Sequence, residues 1–235
     1  MKVLIFTGGQ APLPDHVRPF FIDRNFDYII AADSGLDTYE TYRKAGLVSR
    51  NPDFLTGDFD SVSDRSLIEK YPDAERKIYS HDKDYTDSEL ALMKAREICG
   101  TDGTVVLCGG NGGRPDHFMA LYDSFSREYH ADIWLCGLQV VWFCGEGTSM
   151  KISGAGHDDR ISVSRISSEY SGTVLESKGF EWNNLNESGM PSLSNRISGE
   201  YEKQGKPIEL YAKKGSFLVY TDFGAQVSVQ AKGKN

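Results

Sequence analysis

A chain of 235 residues is long enough for one large hydrophobic core or two modest ones. Its 34 acidic residues outnumber its 26 basic ones for a formal charge of -8, spread along the chain. That balance disfavours binding along a nucleic-acid backbone but leaves room for a local basic pocket. Cys99, Cys108, Cys136 and Cys144 match no zinc or redox spacing, and no stretch approaches the roughly 18 apolar residues of a membrane span. The opening MKVLIFTGG has too short an apolar run for a signal peptide and reads as a first buried strand. Reduced thiols, a cytoplasmic setting and no membrane partner are the expectation.

In chain order, residues 3–6 form an unbroken apolar run of parallel-strand type that delivers Thr7, Gly8 and Gly9 into a loop. That loop lacks the Lys-Ser/Thr of a P-loop and the full GxGxxG spacing, so it is a weak phosphate-binding signal by itself. A short helix is predicted over 15–25. A second strand, 28–32, ends in Asp33, Ser34 and Gly35, and a helix over 36–45 stops at Gly46. The third strand, 54–56, runs into GDFDS at 57–61. In an extended backbone Asp58 and Asp60 project to the same side, so their carboxylates converge and invite a cation; the alternative is a solvated acidic turn.

A helix over 63–70 and a strand over 77–79 precede HDKDYTDSELALMKA, residues 81–95. Thr86 with Glu89 three positions on is a capping-box pattern that puts Asp87 in the first helical turn and Asp84 just ahead of it. Favourable helix-dipole placement accounts for Asp87 but not for Asp84. Leu90, Ala91, Ala95 and Ile98 are the expected inward stripe. A strand over 104–108 leads into GGNGGRPDH at 109–117, where four glycines precede Arg114, Asp116 and His117; a helix follows over 118–128 and strands over 133–135 and 140–143. The first three of these apolar strands end in Gly, Ser or Asp, which is what an open α/β sheet shows where ligands bind beyond its carboxyl edge.

After about residue 146 helical periodicity fades, and short strand-like pieces follow at 150–152, 161–165, 172–175, 208–213, 216–220 and 226–229. The expected organisation is therefore an N-terminal α/β domain, 1–147, with a doubly wound, mostly parallel, Rossmann-like sheet, and a C-terminal all-β sandwich, 148–235. Residues 177–200 are too long and irregular for a hairpin turn, and Phe180, Trp182, Leu185 and Met190 argue against disorder. Trp182 either caps the β core or, beside Ser192, Ser194 and Asn195, offers a stacking platform for an aromatic ligand.

Taken together, AADSG at 31–35, GDFDS at 57–61, KDYTDSE at 83–89, GGNGGRPDH at 109–117, and GFEW with SLSN between 179 and 195 resemble the thiamine pyrophosphokinase family, in order and over nearly the whole chain. The resemblance implies a cytoplasmic homodimer with shared sites that transfers pyrophosphate from ATP to the hydroxyl of thiamine, leaving AMP. It further implies that Asp58, Asp60 and Asp87 hold Mg2+ and that Asp84 supports them. Asp33, Ser34, Ser61, Arg114, Asp116 and His117 then face nucleotide or thiamine, with Asp116 on the aminopyrimidine, while Trp182, Ser194 and Asn195 form the thiamine-binding segment. Bacterial relatives usually read RxDHxLxN, whereas this chain carries Leu121 in place of the final Asn. A Mg-dependent nucleotide phosphohydrolase and a non-catalytic thiamine or nucleotide sensor are the alternative functions.

Overall fold

Apolar runs flanked by glycine and aspartate become the central strands of a parallel sheet. The computed structural model describes residues 1–22, 24–79, 84–166, 172–183 and 192–231. Its contacts divide the chain into two compact units, Met1–Leu138 and Gln139–Asn235. The expected boundary at 147/148 lies one strand later; the strand Gln139–Cys144 groups with the second unit because it pairs antiparallel with Phe217–Thr221.

The first unit contains β1 (Lys2–Phe6), α1 (Pro14–Phe21), β2 (Tyr28–Ala32), α2 (Gly35–Lys44), β3 (Phe54–Gly57), α3 (Ser66–Glu69), β4 (Glu75–Ile78), α4 (Asp87–Cys99), β5 (Thr104–Cys108), α5 (Pro115–Ser124) and β6 (Ile133–Cys136). All six strands are parallel, in the order β6-β5-β1-β2-β3-β4. The chain winds outward from β1 through β4 and then returns to β1's other side as β5, so a topological switch point lies between β1 and β5. Loops leaving two such strands diverge and open a crevice. Val3 to Phe6 are wholly buried, as is usual for a strand covered on both faces. β4, at the edge, carries the charged sequence ERKI and is mostly exposed, which blunts edge-to-edge pairing.

Helix α2 packs on β1 through edge-on contacts of Phe6 with Tyr39 and Tyr42, at 5.7 and 5.3 Å between centroids. Helix α4 begins at the predicted capping box, in which Thr86 and Glu89 satisfy each other's backbone N–H groups. Its buried face is Ala91, Leu92 and Ala95; Leu90 and Ile98, expected inward, are only partly covered. Small residues on that face let the helix lie close to the sheet, and Leu92 fills the remaining gap. The helix expected over 63–70 is confined to α3, and that expected over 118–128 begins and ends earlier, as α5.

The second unit contains β7 (Gln139–Cys144), β8 (Thr148–Ser153), β9 (Ile161–Arg165), β10 (Val174–Lys178), β11 (Ser192–Asn195), α6 (Gly199–Lys203), β12 (Ile208–Lys214), β13 (Phe217–Thr221) and β14 (Gln226–Ala231). Antiparallel pairing gives the strand runs β11-β9-β13-β7 and β10-β12-β8-β14, the two sheets of a sandwich. Alternation of buried and partly exposed residues along β9 and β12 is the signature of sheets wet on one face. Strand β11 arises inside the stretch read as irregular, and helix α6 begins at its end. Leu185 and Met190, called upon there against disorder, lie outside the described residues.

Candidate active site

The carboxyl edge of the parallel sheet gathers the acidic motifs. β2 and β3 run side by side to their ends, with Ala32 opposite Thr56, and the Asp33 N–H donates to the Thr56 carbonyl at 2.8 Å. Gly57 leaves β3 with φ 130°, and a Cβ there would sit 3.2 Å from the backbone nitrogen and Cα of Asp33. The missing side chain lets the two strand exits touch. Asp33 and Phe59 themselves adopt φ 48° and 56°, a region non-glycine residues seldom occupy. The left-handed turn at Phe59 drops its ring into the core, where it is 3 % exposed, and leaves the flanking carboxylates at the surface of the cleft. Asp58 and Asp60 thus converge through a tight turn, where an extended backbone was expected, because β3 has already ended at Gly57.

Asp33 joins them. One carboxylate oxygen from each of Asp33, Asp58 and Asp60 lies within 4.8 Å of the others. Asp58 Oδ1 accepts the backbone N–H of Asp60 at 3.3 Å, and Ser61 donates its hydroxyl to Asp60 at 2.8 Å. Farther along the loop, Ser63 donates both its N–H and its hydroxyl to Asp37 in the first turn of α2, at 3.0 and 2.5 Å. Asp37 therefore anchors the acidic turn, a role that sequence gave no reason to separate from an ordinary first-turn acid.

A cavity of about 650 Å3 opens over this edge. It is lined by Asp33, Ser34, Asp58, Asp60 and Ser61, by Asp84, Tyr85 and Asp87, by Thr7 to Gly9, and by Gly110, Gly112, Arg114, His117 and Leu121. The four strand-end motifs thus share one space at the β1/β5 switch point. The backbone N–H groups of Gly109 and Gly110 are already engaged by the carbonyls of Leu135 and Gly8, so those two are not the ones offered to a ligand. Arg114 and Asp116 form a two-pronged ion pair, Nε to Oδ1 at 3.0 Å and Nη2 to Oδ2 at 2.5 Å, which holds the Asp116 carboxyl down at about 2. Arg114 lines the cavity, whereas Asp116 does not.

The acidic cluster fits a hard divalent cation. Burial first, and then the charges of Asp87, Asp58 and Asp60, push the Asp33 carboxyl above the usual carboxylate range, while its hydrogen bond from the Ser34 backbone pulls the other way. Asp33 Oδ1 is buried without a hydrogen-bond partner, and buried acceptors are ordinarily satisfied. An orphaned oxygen among like charges is an arrangement that an oxygen-seeking ion would complete. Asp87 contributes charge to this group but stands outside the 4.8 Å set.

Residues 22–136 match the family model described as the catalytic domain of thiamin pyrophosphokinase. That segment, a little under half of the chain, is similar to the catalytic domain of the thiamin pyrophosphokinase family. Among solved structures, the thiamin pyrophosphokinase of Candida albicans is 16 % identical with a TM-score of 0.65, covering 94 % of this chain and 89 % of that one. The enzyme of Bacillus subtilis is 21 % identical with a TM-score of 0.65, and a family protein of Enterococcus faecalis is 18 % identical with a TM-score of 0.66; each pairing covers 94 % of this chain and 99 % of the other. Likeness at these identities establishes the fold. No curated protein sequence matches the chain.

Within the segment that matches this catalytic domain, Leu121 has a packing role. It is 4 % exposed, and a Cβ on Gly110 would lie 2.2 Å from its Cδ1. The leucine therefore fills the space beneath the glycine loop, and Gly110, at φ 77°, leaves room for it.

The remaining expected residues lie in the second unit and are described within it. Trp182 is 47 % exposed, with the Arg196 guanidinium 5.1 Å from its ring centroid. Asn195 is fully buried. Its amide accepts from Trp182 N–H at 3.3 Å and from Arg196 N–H at 2.9 Å, and donates to the Trp182 carbonyl at 2.7 Å and to Ser192 Oγ at 2.8 Å. Every polar atom of that side chain is thereby used to fix the Trp182 backbone. Ser194 is exposed, adopts φ 55° and donates its N–H to Ser162 Oγ. Trp182 is not a core cap; it is an exposed ring on a pinned backbone. Lys83, part of the KDYTDSE motif, lies outside the described residues. Tyr85, 45 % exposed and lining the cavity, is a site residue that sequence reasoning passed over; its place between Asp84 and Thr86 was the available signal.

Proposed function

We propose that this chain is a thiamine pyrophosphokinase, moving the β,γ-pyrophosphoryl group of ATP onto the hydroxyethyl oxygen of thiamine to give thiamine diphosphate and AMP. The observation that carries the reading is the convergence of Asp33, Asp58 and Asp60 within 4.8 Å at the carboxyl edge of a sheet whose sequence matches this catalytic domain. Asp58 and Asp60, with Asp87 and the orphaned oxygen of Asp33, would hold Mg2+. When bound, the ion would supply the positive charge that lets a triphosphate enter an otherwise repelling acidic cavity.

The chain's own residues then act mainly by position and charge, as phosphoryl transfer requires. Gly8, Gly9, Gly112 and Gly113 let the triphosphate approach the main chain, and Arg114 brings a guanidinium to the cavity. The thiamine oxygen attacks the β-phosphorus opposite the departing AMP oxygen; the new O–P bond forms as the α,β-bridge breaks, and the hydroxyl proton passes to the carboxylate-lined wall. Ser34, Ser61, His117 and Asp84 complete that wall. Thiamine is gripped by the second unit through Trp182 and Ser194, with Asn195 holding the tryptophan in place. Asp116 serves the aminopyrimidine when its fork with Arg114 opens. The assembly is a cytoplasmic homodimer with shared sites. The free state of all four cysteines supports a reducing setting, and among the described residues no helix is long and apolar enough to cross a membrane.

Product analysis tests the reading. Full-length chain with ATP, thiamine and Mg2+ is expected to yield thiamine diphosphate and AMP in equal amounts. Thiamine-independent ADP or inorganic phosphate would make it a phosphohydrolase, and thiamine binding without turnover would make it a sensor.

A further inference from the structure

Asp87 owes its place to its neighbours. Thr86, just before it, is held by the capping box, its N–H and hydroxyl both donating to Glu89 Oε2 at 2.9 Å. Ser88, just after it, shares a hydroxyl hydrogen bond with Thr7 at the end of β1. The other oxygen of Glu89 takes Arg127 Nη1 at 2.6 Å, and the same guanidinium donates through Nη2 to Asp123 Oδ2 at 2.9 Å. Arg127 lies three residues beyond α5, and its N–H donates to the Ser124 carbonyl at 3.0 Å, so its base is fixed to that helix. Glu89 is 15 % exposed and Arg127 48 %, so the carboxylate end of the pair is sheltered while the guanidinium, itself forked onto Asp123, meets solvent.

We infer that Arg127, outside the cavity, is a positioning residue for the cation-binding wall: by gripping Glu89 it locks the N-terminal turn of α4, and with it Asp87, to helix α5. The inference rests on the proposed metal role of the acidic cluster. Its physical basis is geometric. A carboxylate that helps hold an ion must keep its place while like charges push against it, and here the backbone on either side is tied to β1 and, through the cap, to α5. With Arg127 gone, Glu89 keeps only its intrahelical bonds, and the turn loses its tie to α5 and is held only by the Ser88–Thr7 bond, so Asp87 is less firmly placed near Asp33. A guanidinium suits the task because its fork reaches Glu89 and Asp123 together, whereas an ammonium offers a single point of charge.

The test is titration of the nucleotide-free, full-length protein with Mn2+ alone, read by the electron paramagnetic resonance of the free ion. Arg127→Gln is expected to weaken Mn2+ binding about tenfold, the lower end of what loss of a supporting partner costs a metal site. Arg127→Lys is expected to recover about half of that loss on a logarithmic scale, and it carries the test should Arg127→Gln not fold. Arg96→Gln is the structural control. Arg96 clamps the other end of α4 to His130 and Asp132, so its loss should lower Tm yet leave Mn2+ affinity within about twofold. Unchanged Mn2+ affinity in Arg127→Gln, or equal weakening in Arg96→Gln, overturns the inference while the metal reading stands. Full Mn2+ binding by Asp58→Asn overturns the metal reading, and the role of Arg127 falls with it.

Discussion

The acidic turn at Asp33 and Asp58–Asp60 and the aromatic corner at Trp182 are built on opposite principles. Both use a non-glycine residue in the left-handed region, Asp33 and Phe59 in the first and Ser194 in the second. In the aromatic corner every polar atom of the buried amide has a partner, so Asn195 and the Trp182 backbone complete one another without a ligand. In the acidic turn three carboxylates crowd together, one buried oxygen has no partner, and the Asp33 carboxyl is pushed up by its surroundings. A satisfied network rigidifies whatever it carries, whereas a frustrated one stores unfavourable energy that a ligand releases. The corner presents a surface already made. The turn is left with crowded charge and an unpartnered oxygen.

Substitution in the acidic turn should therefore strike activity and spare the fold. Asp58→Asn is expected to lower kcat for pyrophosphate transfer by about 10²- to 10³-fold, the scale of removing one preorganised electrostatic contributor. Tm of the free protein should hold or rise, since a repulsive charge is gone. Near-normal turnover in steady-state assays of AMP release would remove Asp58 from the metal set.

The aromatic corner should respond the other way. Asn195→Ala leaves the Trp182 and Arg196 main-chain groups without their partner, and the cost of unsatisfied buried groups puts the loss of stability at about 2–4 kcal/mol. Thiamine affinity should fall along with it as the Trp182 ring loses its fixed backbone. Chemical denaturation and fluorescence quenching read the two effects separately, because Trp134 and Trp142 are buried and Trp182 is the tryptophan open to a quencher. A variant that keeps its stability but loses thiamine would mean that Asn195 touches the ligand directly.

The same contrast decides what the sequence disclosed. Strands β1, β2, β3 and β5 were legible because a strand buried on both faces reads as a largely apolar run, and each gives way to threonine, glycine, serine or aspartate. The capping box placed Asp87 at the first position of α4, since that signal is local. The approach of Asp33 to Asp58 and Asp60 was not legible because it depends on the pairing of Ala32 with Thr56 and on the bare backbone of Gly57, a contact across 24 residues of chain. Strand β11 escaped notice for a different reason. SLSN has no alternation of apolar residues, and the side chain it buries is the amide of Asn195. The tie between Arg127 and Glu89 spans 38 residues and leaves no local trace.

The smallest effect expected is also the sharpest test of frustration. An aspartate whose carboxyl is pushed up in the folded state binds its proton more tightly there than in the unfolded chain, so stability falls as pH rises through the raised value. Below the ordinary carboxylate range the proton is bound in both states and the penalty vanishes. Asp33→Asn keeps an acceptor for the Ser34 N–H, removes the charge, and adds an N–H that Asp58 and Asp60 can accept. In the free protein it should raise Tm by about 2 °C at neutral pH, with the gain shrinking to nothing as pH is lowered past the usual carboxylate range. Added Mg2+ should reverse the order of the two proteins, because the wild type gains an ion whose third anionic ligand the variant lacks. Calorimetry across pH, with and without Mg2+, reads both signs. A free-protein Tm that falls on substitution would mean that Asp33 is held by partners that stabilise its charge, and that the acidic turn is as satisfied as the aromatic corner.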